Sequence, residues 1–102
     1  MTDNPISRNE AAHRFEVPLG DKIAKIDYIQ SNGKLNLVHT EVPKKFEGQG
    51  IGKKLVKAAL DYAQETNLKV IPSCPFVAAY IRRHPEYLEI VPPEYRKKIE
   101  RT

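Results

Sequence analysis

Glu47-Gly48-Gln49-Gly50-Ile51-Gly52, followed at once by Lys53-Lys54, is the stretch that decides how this chain folds. Three of the five glycines fall within five residues, between a strand-like run and a helix-like run. Glycine leaves backbone N–H groups uncovered and permits positive φ, so such a loop wraps closely around an anion. The helix start behind it adds donors without intrahelical partners and the positive end of the helix dipole. The expected ligand is a diphosphate, cradled by a loop built on Gly48, Gly50 and Gly52 through the amides of Gln49, Gly50, Gly52 and Lys53. Lys53 and Lys54 either steady phosphate charge or form a solvated helix face. The bland alternative is a loose loop before a helix, but glycine in a helical turn costs about 1 kcal/mol.

Two familiar cradles are excluded by spacing. A Walker A loop places four residues between its glycines and continues with Lys and Ser/Thr. Counted back from Gly52-Lys53, its first glycine position is Glu47, and Lys54 has no hydroxyl for magnesium. A dinucleotide fingerprint sets its third glycine three places after the second; that place is Lys53, and no βαβ unit precedes it.

Outward from the loop, the pattern is regular. Arg14 to Leu19, Ile23 to Gln30 and Leu35 to Val42 alternate as half-buried strands do, with Ala24, Ile26 and Tyr28 on one face and Lys25 and Asp27 on the other. Gly20-Asp21 and Ser31-Asn32-Gly33 are hairpin signals. On the other side, Ile51, Leu55, Ala58, Ala59 and Tyr62 recur at helical spacing and predict one long helix from about Gln49 to Glu65, stopped at Asn67. Lys69 to Pro72 reads as a short strand parallel to the third, the helix being the crossover. Pro75 opens a second helix to about Arg83, ended by His84-Pro85. Leu88 to Val91 reads as a last strand and Glu94 to Arg101 as a short basic helix. Residues 1–12 are polar and expected to fray; residues 13–91 form the domain and 92–102 a basic tail or short helix.

The pattern G-x-G-x-G ahead of a helix resembles motif A of the GNAT superfamily of N-acetyltransferases, whose loop reads Q/R-x-x-G-x-G/A and holds the pyrophosphate of coenzyme A. Glu47 departs from it, standing where the motif has Gln or Arg. With Val38-His39-Thr40-Glu41-Val42-Pro43, Lys53-Lys54-Leu55-Val56 and Cys74-Pro75-Phe76-Val77-Ala78-Ala79-Tyr80-Ile81-Arg82-Arg83-His84-Pro85, the chain is similar to the small YjdJ-type GNAT subgroup from roughly Phe15 to Val91. The resemblance implies a minimal α/β (α+β) GNAT fold. Its mixed, mostly antiparallel sheet is splayed between two strands, with one long cofactor-binding helix and one shorter helix. It implies acetyl-CoA as donor, an amine as acceptor, and main-chain pairing of the pantetheine arm along the third strand as far as Val42. Larger members place one or two helices between the first two strands. Here only Gly20-Asp21 joins them, which leaves the acceptor side open to a peptide or protein amine.

Four side chains are candidates for the chemistry. Cys74 precedes Pro75 at a helix N-terminus, which favours thiolate; it is either a reactive thiol or a small buried filler. The resembled subgroup carries a cysteine in this Cys-Pro-Phe setting. Strict alternation puts His39 and Glu41 on one face of the third strand, beside the glycine loop, where either could take the acceptor's proton. A hydrogen-bonded or solvent-facing pair is the alternative, and a bulge would change the face. Tyr80 stands four residues before His84-Pro85, where the resembled family often has a tyrosine that protonates the departing thiolate; core packing is the other reading. Arg82 and Arg83 either pair with the 3′-phosphate of coenzyme A or complement the helix C-terminus.

The bulk numbers agree with one soluble domain of 102 residues, 40% hydrophobic and 29% charged. No apolar run approaches the ~18 residues of a membrane span, and the first fifteen residues lack an apolar signal core. A single cysteine excludes an intramolecular disulfide and a multi-cysteine metal site. The expected setting is cytoplasmic, with no metal and a monomeric or weakly dimeric state. A net charge of +4 suits an anionic cofactor; nucleic acid is disfavoured because the lysines and arginines are scattered, without an RNA-binding signature. Three readings follow. The first is an N-acetyltransferase working directly or through acetylated Cys74. The second is a non-catalytic coenzyme A-binding module, motivated by the open acceptor side and Glu47. The third, a basic nucleic-acid-binding domain, leaves the glycine loop unexplained.

Overall fold

The computed structural model describes residues 5–100. Strands β1 (Ser7–Asn9), β2 (Arg14–Leu19), β3 (Lys22–Ser31), β4 (Lys34–Glu41) and β5 (Lys69–Ile71) form one sheet in that order. All neighbours are antiparallel except β4 and β5. Helix α1 (Ile51–Glu65) makes the crossover from β4 to β5, followed by α2 (Pro75–Arg83) and α3 (Arg96–Glu100). This is the mixed, mostly antiparallel sheet with one long and one shorter helix that the sequence implies.

Periodicity explains the core. Phe15, Val17, Leu19, Ala24, Ile26, Tyr28, Leu35 and Leu37 bury one sheet face against Leu55, Val56, Ala59, Leu60 and Ala63 of α1. The opposite face carries Arg14, Glu16, Lys25 and Asp27, all half-buried, and an exposed Ile29. There Arg14 Nε lies 2.6 Å from Glu16 and holds its carboxyl below the ordinary carboxylate range. Helix α1 ends as Asn67 suggested. With Asn67 at φ 60°, the Leu68 amide donates to the Ala63 carbonyl at 2.8 Å and the Asn67 amide to Gln64 at 3.3 Å, a Schellman closure. Pro75 is the first residue of α2, needing no N–H there.

Two expectations are corrected and a third is sharpened. Residues 1–12 do not simply fray: Ser7–Asn9 pairs with β2, Arg8 opposite Phe15. The Arg8 guanidinium lies over the Tyr62 ring at 4.6 Å and donates to Tyr28 Oη at 3.4 Å, so it clamps β1 to the core, and residues 1–4 lie outside the described residues. Leu88 to Val91 is no strand: Pro85–Ile90 is a 3₁₀ turn, because Pro85 sets the backbone and buried Tyr87 anchors it through Oη to Asp61 at 2.9 Å. The C-terminal segment does form a short helix, but Ile99 is buried, so it packs on the domain rather than trailing from it. Arg101, the expected end of that helix, lies outside the described residues.

Candidate functional site

The glycine loop delivers a bare helix N-terminus. Gly50 is the N-cap of α1 in the left-handed region (φ 79°, ψ 11°), with no side-chain cap, and Gly48 also has positive φ (85°). The helix therefore starts at Ile51 rather than Gln49. Its first ladder bond is Lys54 N to Gly50 O at 3.1 Å, so the amides of Ile51, Gly52 and Lys53 precede any intrahelical acceptor. A cleft of about 430 Å³ opens on this end, lined by Thr40, Val42, Phe46 to Gly48, Gly50 to Lys53, and Phe76. Gly52 serves a different purpose from Gly50. A Cβ there would lie 3.0 Å from Phe76 Cζ and 3.1 Å from Cε2, so the missing side chain is what lets the Phe76 ring close one wall.

The second wall comes from β4, and its register alters the expected geometry. Tyr28 pairs with Leu37, but Asp27 pairs with His39, leaving Val38 as an extra residue in a bulge. Beyond it Thr40 pairs with buried Ile26, while His39 and Glu41 pair with Asp27 and Lys25. Paired residues share a face. His39 and Glu41 therefore do lie together, but on the face away from α1, both exposed and not beside the glycine loop. Lys25 Nζ sits 3.1 Å from Asp27 and 3.8 Å from Glu41 on that face. Thr40 takes the inward place and lies 3.5 Å from the buried Cys74 thiol.

The sheet is splayed at this point. β5 pairs with β4 only from Lys34 to Asn36. Past that, Ser73 Oγ donates to Asn36 Oδ1 at 2.7 Å and the Cys74 amide to the Leu37 carbonyl at 2.9 Å, and then the chain turns into α2. From Val38 onward β4 has no ladder partner on that side among the described residues. An uncapped helix end, a parallel pair that stops short and an apolar cleft between them form a shape that would suit an elongated anion-tipped ligand.

Comparison with known proteins agrees. Residues 14–97 match the family described as GCN5-related N-acetyl-transferase. The chain belongs to that family. An NMR solution structure of a GCN5-like protein from Staphylococcus aureus superposes with a TM-score of 0.70 at 33% identity, covering 90% of this chain and 91% of that one. Protein NATD1 from Xenopus tropicalis and from Mus musculus is 43% identical over 61 residues, 58% of this chain and 56% of each relative. The human NATD1 match is also 43% identical, over 54% of that protein. The chain thus spans about half the length of these relatives in the aligned region. No helix among the described residues is long and apolar enough to cross a membrane.

For a GCN5-related domain, the remaining expected residues divide by position. Val42, Gly48, Gly50, Gly52 and Lys53 line the cleft; exposed Gln49 and Lys54 flank it in sequence. Tyr80 stands one helical turn behind Phe76, its ring stacked on His84 at 4.1 Å. Burial raises its phenol above the ordinary tyrosine value, with Lys57 pulling the other way. Arg82 is engaged elsewhere: its Nε donates to the Ile99 carbonyl at 2.6 Å. Arg83 shares that last turn of α2, at the far end from Cys74. Thr40, Phe46 and Phe76 were missed by sequence reasoning. Consecutive apolar Leu37-Val38 interrupts strict alternation and was the available signal for Thr40; Phe76, 42% exposed yet large and apolar, had none beyond its place after Pro75.

Proposed function

We propose that this domain transfers an acetyl group from acetyl-CoA to an amine. One observation carries the reading: the uncapped start of α1, with Gly50 left-handed, opens into a cleft continuous with the splayed end of β4. The residues fit the cofactor. Amides from Gln49 to Lys53 hold the diphosphate, Lys53 adds charge, and Val42, Phe46 and Phe76 offer apolar walls to the pantetheine arm along the gap-facing edge of β4. Bound there, acetyl-CoA supplies an acetyl group activated as a thioester.

The protein's own residues manage protons. His39 or Glu41, on the open face, takes one proton from the acceptor ammonium, so that the amine nitrogen can form its bond to carbon as the carbon–sulfur bond breaks. A proton then returns to the sulfur. Cys74, beside Thr40 of the cleft wall, is one candidate donor; Tyr80, kept neutral by burial, is the other. In the relay version the Cys74 sulfur would bond to the acetyl carbon as the donor carbon–sulfur bond breaks, its proton passing to the departing sulfur, and the amine would then take the acetyl group from Cys74 and return the thiol.

Calorimetry with acetyl-CoA, followed by thiol release over a panel of amines and peptides, tests the reading. Gly50→Val is the matched control, because a β-branched residue does not tolerate positive φ. Loss of binding is expected; retained affinity refutes the loop assignment. Cys74→Ala with unchanged rate and no acetylated protein by intact mass eliminates the relay. A second reading, a non-catalytic coenzyme A-binding module, draws on Glu47 in the cleft wall and on Glu41 lying near Lys25. Affinity for acetyl-CoA without amine-dependent turnover would favour it.

A further inference from the structure

We propose that a second, positively charged groove on the open sheet face docks the acceptor, and that it selects amines borne by acidic peptide segments; this rests on the transferase reading above. The groove has a volume of about 650 Å³, against about 430 Å³ for the glycine-loop cleft. Its walls are Asp21, Lys22 and Ile23 at the β2–β3 turn, Lys25 in β3, Glu41 at the end of β4, and Pro43 to Lys45 beyond it.

The two cavities lie back to back across one stretch of chain. From residue 40 to 46, Thr40, Val42 and Phe46 turn into the cleft, whereas Glu41, Pro43, Lys44 and Lys45 line the groove, and no lining residue is shared. Alternation from residue 40 to 43 sends neighbours to opposite sides, and the 3₁₀ turn Lys44–Phe46 then puts Lys44 and Lys45 on the groove and Phe46 on the cleft, so whatever fills the groove is separated from the cleft by a single chain's thickness. Glu41, one of the two proposed proton acceptors, stands on the groove side of that divide.

Charge then selects the occupant. Four ammonium groups, Lys22, Lys25, Lys44 and Lys45, line the groove with two carboxylates, Asp21 and Glu41. Lys25 is held between Asp27 and Glu41. Lys22, Lys44 and Lys45 are exposed, and among the described residues none of the three has a carboxylate partner, although Lys45 Nζ lies 5.8 Å over the Phe46 ring. A matching ligand places an ammonium near Glu41 and negative charge further along, over the lysines. Lysine is a point charge on a flexible stem, suited to a loose row of carboxylates rather than one fixed planar partner. The groove is unroofed, since a two-residue turn joins β2 and β3, and this favours an extended segment over an enclosed small molecule. The same field repels basic segments.

The test uses the full chain, two synthetic peptides of equal length with the same free N-terminal amine, one rich in Asp and Glu and one in Lys and Arg, and a Lys44→Glu/Lys45→Glu variant. Amide chemical-shift titration reads docking, thiol release reads KM, and calorimetry reads acetyl-CoA affinity separately. The acidic peptide should shift groove residues and show the lower KM. The double reversal should raise that KM about tenfold, because two exposed attractions become repulsions, with acetyl-CoA affinity changed by less than about twofold. Equal KM values for the two peptides in the unaltered chain overturn the proposal, as does tighter binding of an oligonucleotide at the same residues. Loss of acetyl-CoA affinity in the double variant also overturns it, by assigning these lysines to the cofactor's phosphates. Absence of acetyl-CoA binding to the unaltered chain instead removes the transferase reading itself.

Discussion

Gly52→Ala separates the two jobs that glycine performs in this loop. Gly50 and Gly48 are needed for positive φ and have open space where a Cβ would stand; Gly52 has helical geometry and no space. In a helix, alanine is favoured over glycine by about 1 kcal/mol. Here the new methyl group would meet Phe76 Cζ at 3.0 Å and Cε2 at 3.1 Å, and Val42 Cγ2 at 3.7 Å. Carbon atoms prefer about 3.5–4.0 Å, so the ring must move. It is 42% exposed already, and swinging it out forfeits only the buried part of a side chain whose full burial is worth about 1.5–3 kcal/mol, or about 1–1.5 kcal/mol. Gain and loss nearly cancel, and the melting temperature should move by less than about 5 °C. Cofactor affinity should fall about tenfold or more, because the moved ring formed a cleft wall. Gly50→Ala should behave in the opposite manner in the melt, losing about 1–2 kcal/mol to left-handed strain. Thermal unfolding and acetyl-CoA calorimetry on both variants decide the matter. If Gly52→Ala raises stability by the whole helix-propensity gain and leaves affinity intact, the Phe76 contact is not what requires glycine there.

Other perturbations probe the remaining contacts. Arg82→Ala should destabilise by about 1–3 kcal/mol in urea, through the lost charged hydrogen bond to the Ile99 carbonyl, and leave acetyl-CoA affinity within about twofold; a large loss of affinity would restore it as a phosphate ligand. Arg8→Ala should release β1, seen as faster hydrogen exchange at the ladder amides of Ser7–Asn9, for about 0.5–1 kcal/mol of global stability; unchanged protection would mean strand pairing alone holds β1. Tyr87 has its phenol pushed above the ordinary tyrosine value, first by burial and then by its bond to Asp61. The folded state therefore keeps a proton that the unfolded chain loses near pH 10, so stability is full below that pH and declines as pH rises above it. Tyr87→Phe should cost about 1 kcal/mol at neutral pH and flatten the alkaline decline, as followed by denaturant midpoints; an unaltered slope would point to other groups.

Much of this fold was legible because it is written in local patterns. The hairpin dipeptides, the period-two runs of β2 to β4, the stripe on α1, Asn67 and Pro75 each act over a few residues, and the elements they predict formed within two residues of their expected ends. What was illegible depends on partners distant in sequence. Nothing in Ser7–Asn9 announces a strand; Arg8 is fixed by Tyr28 and Tyr62. Leu88 and Ile90 do alternate, but Tyr87 bonded to Asp61 fastens the segment to α1 as a tight turn, away from the sheet. The glycine loop's conformation was readable for the reason that the fold was: its positive φ and bare amides are local.

The acceptor side departs from strict alternation because one residue changes a strand's facing. Without a bulge, Leu37, His39 and Glu41 would point together toward α1, pushing an imidazole and a carboxylate at the apolar face that Ile26 and Tyr28 line. The extra residue, Val38, resolves this conflict by turning Thr40 inward and His39 and Glu41 outward. The same step gives the strand two chemically distinct faces beyond its pairing with β5: Thr40, which touches the buried Cys74 thiol, and Val42 toward the cleft, ionisable groups toward the open face. The transfer proposed above would use such a division, since a donor anchored by phosphate and an acceptor presented as a cation would approach the reacting bond from different sides. The bulge is thus the feature on which the division of the site depends, and sequence marks it only by two adjacent apolar residues in a strand that otherwise alternates.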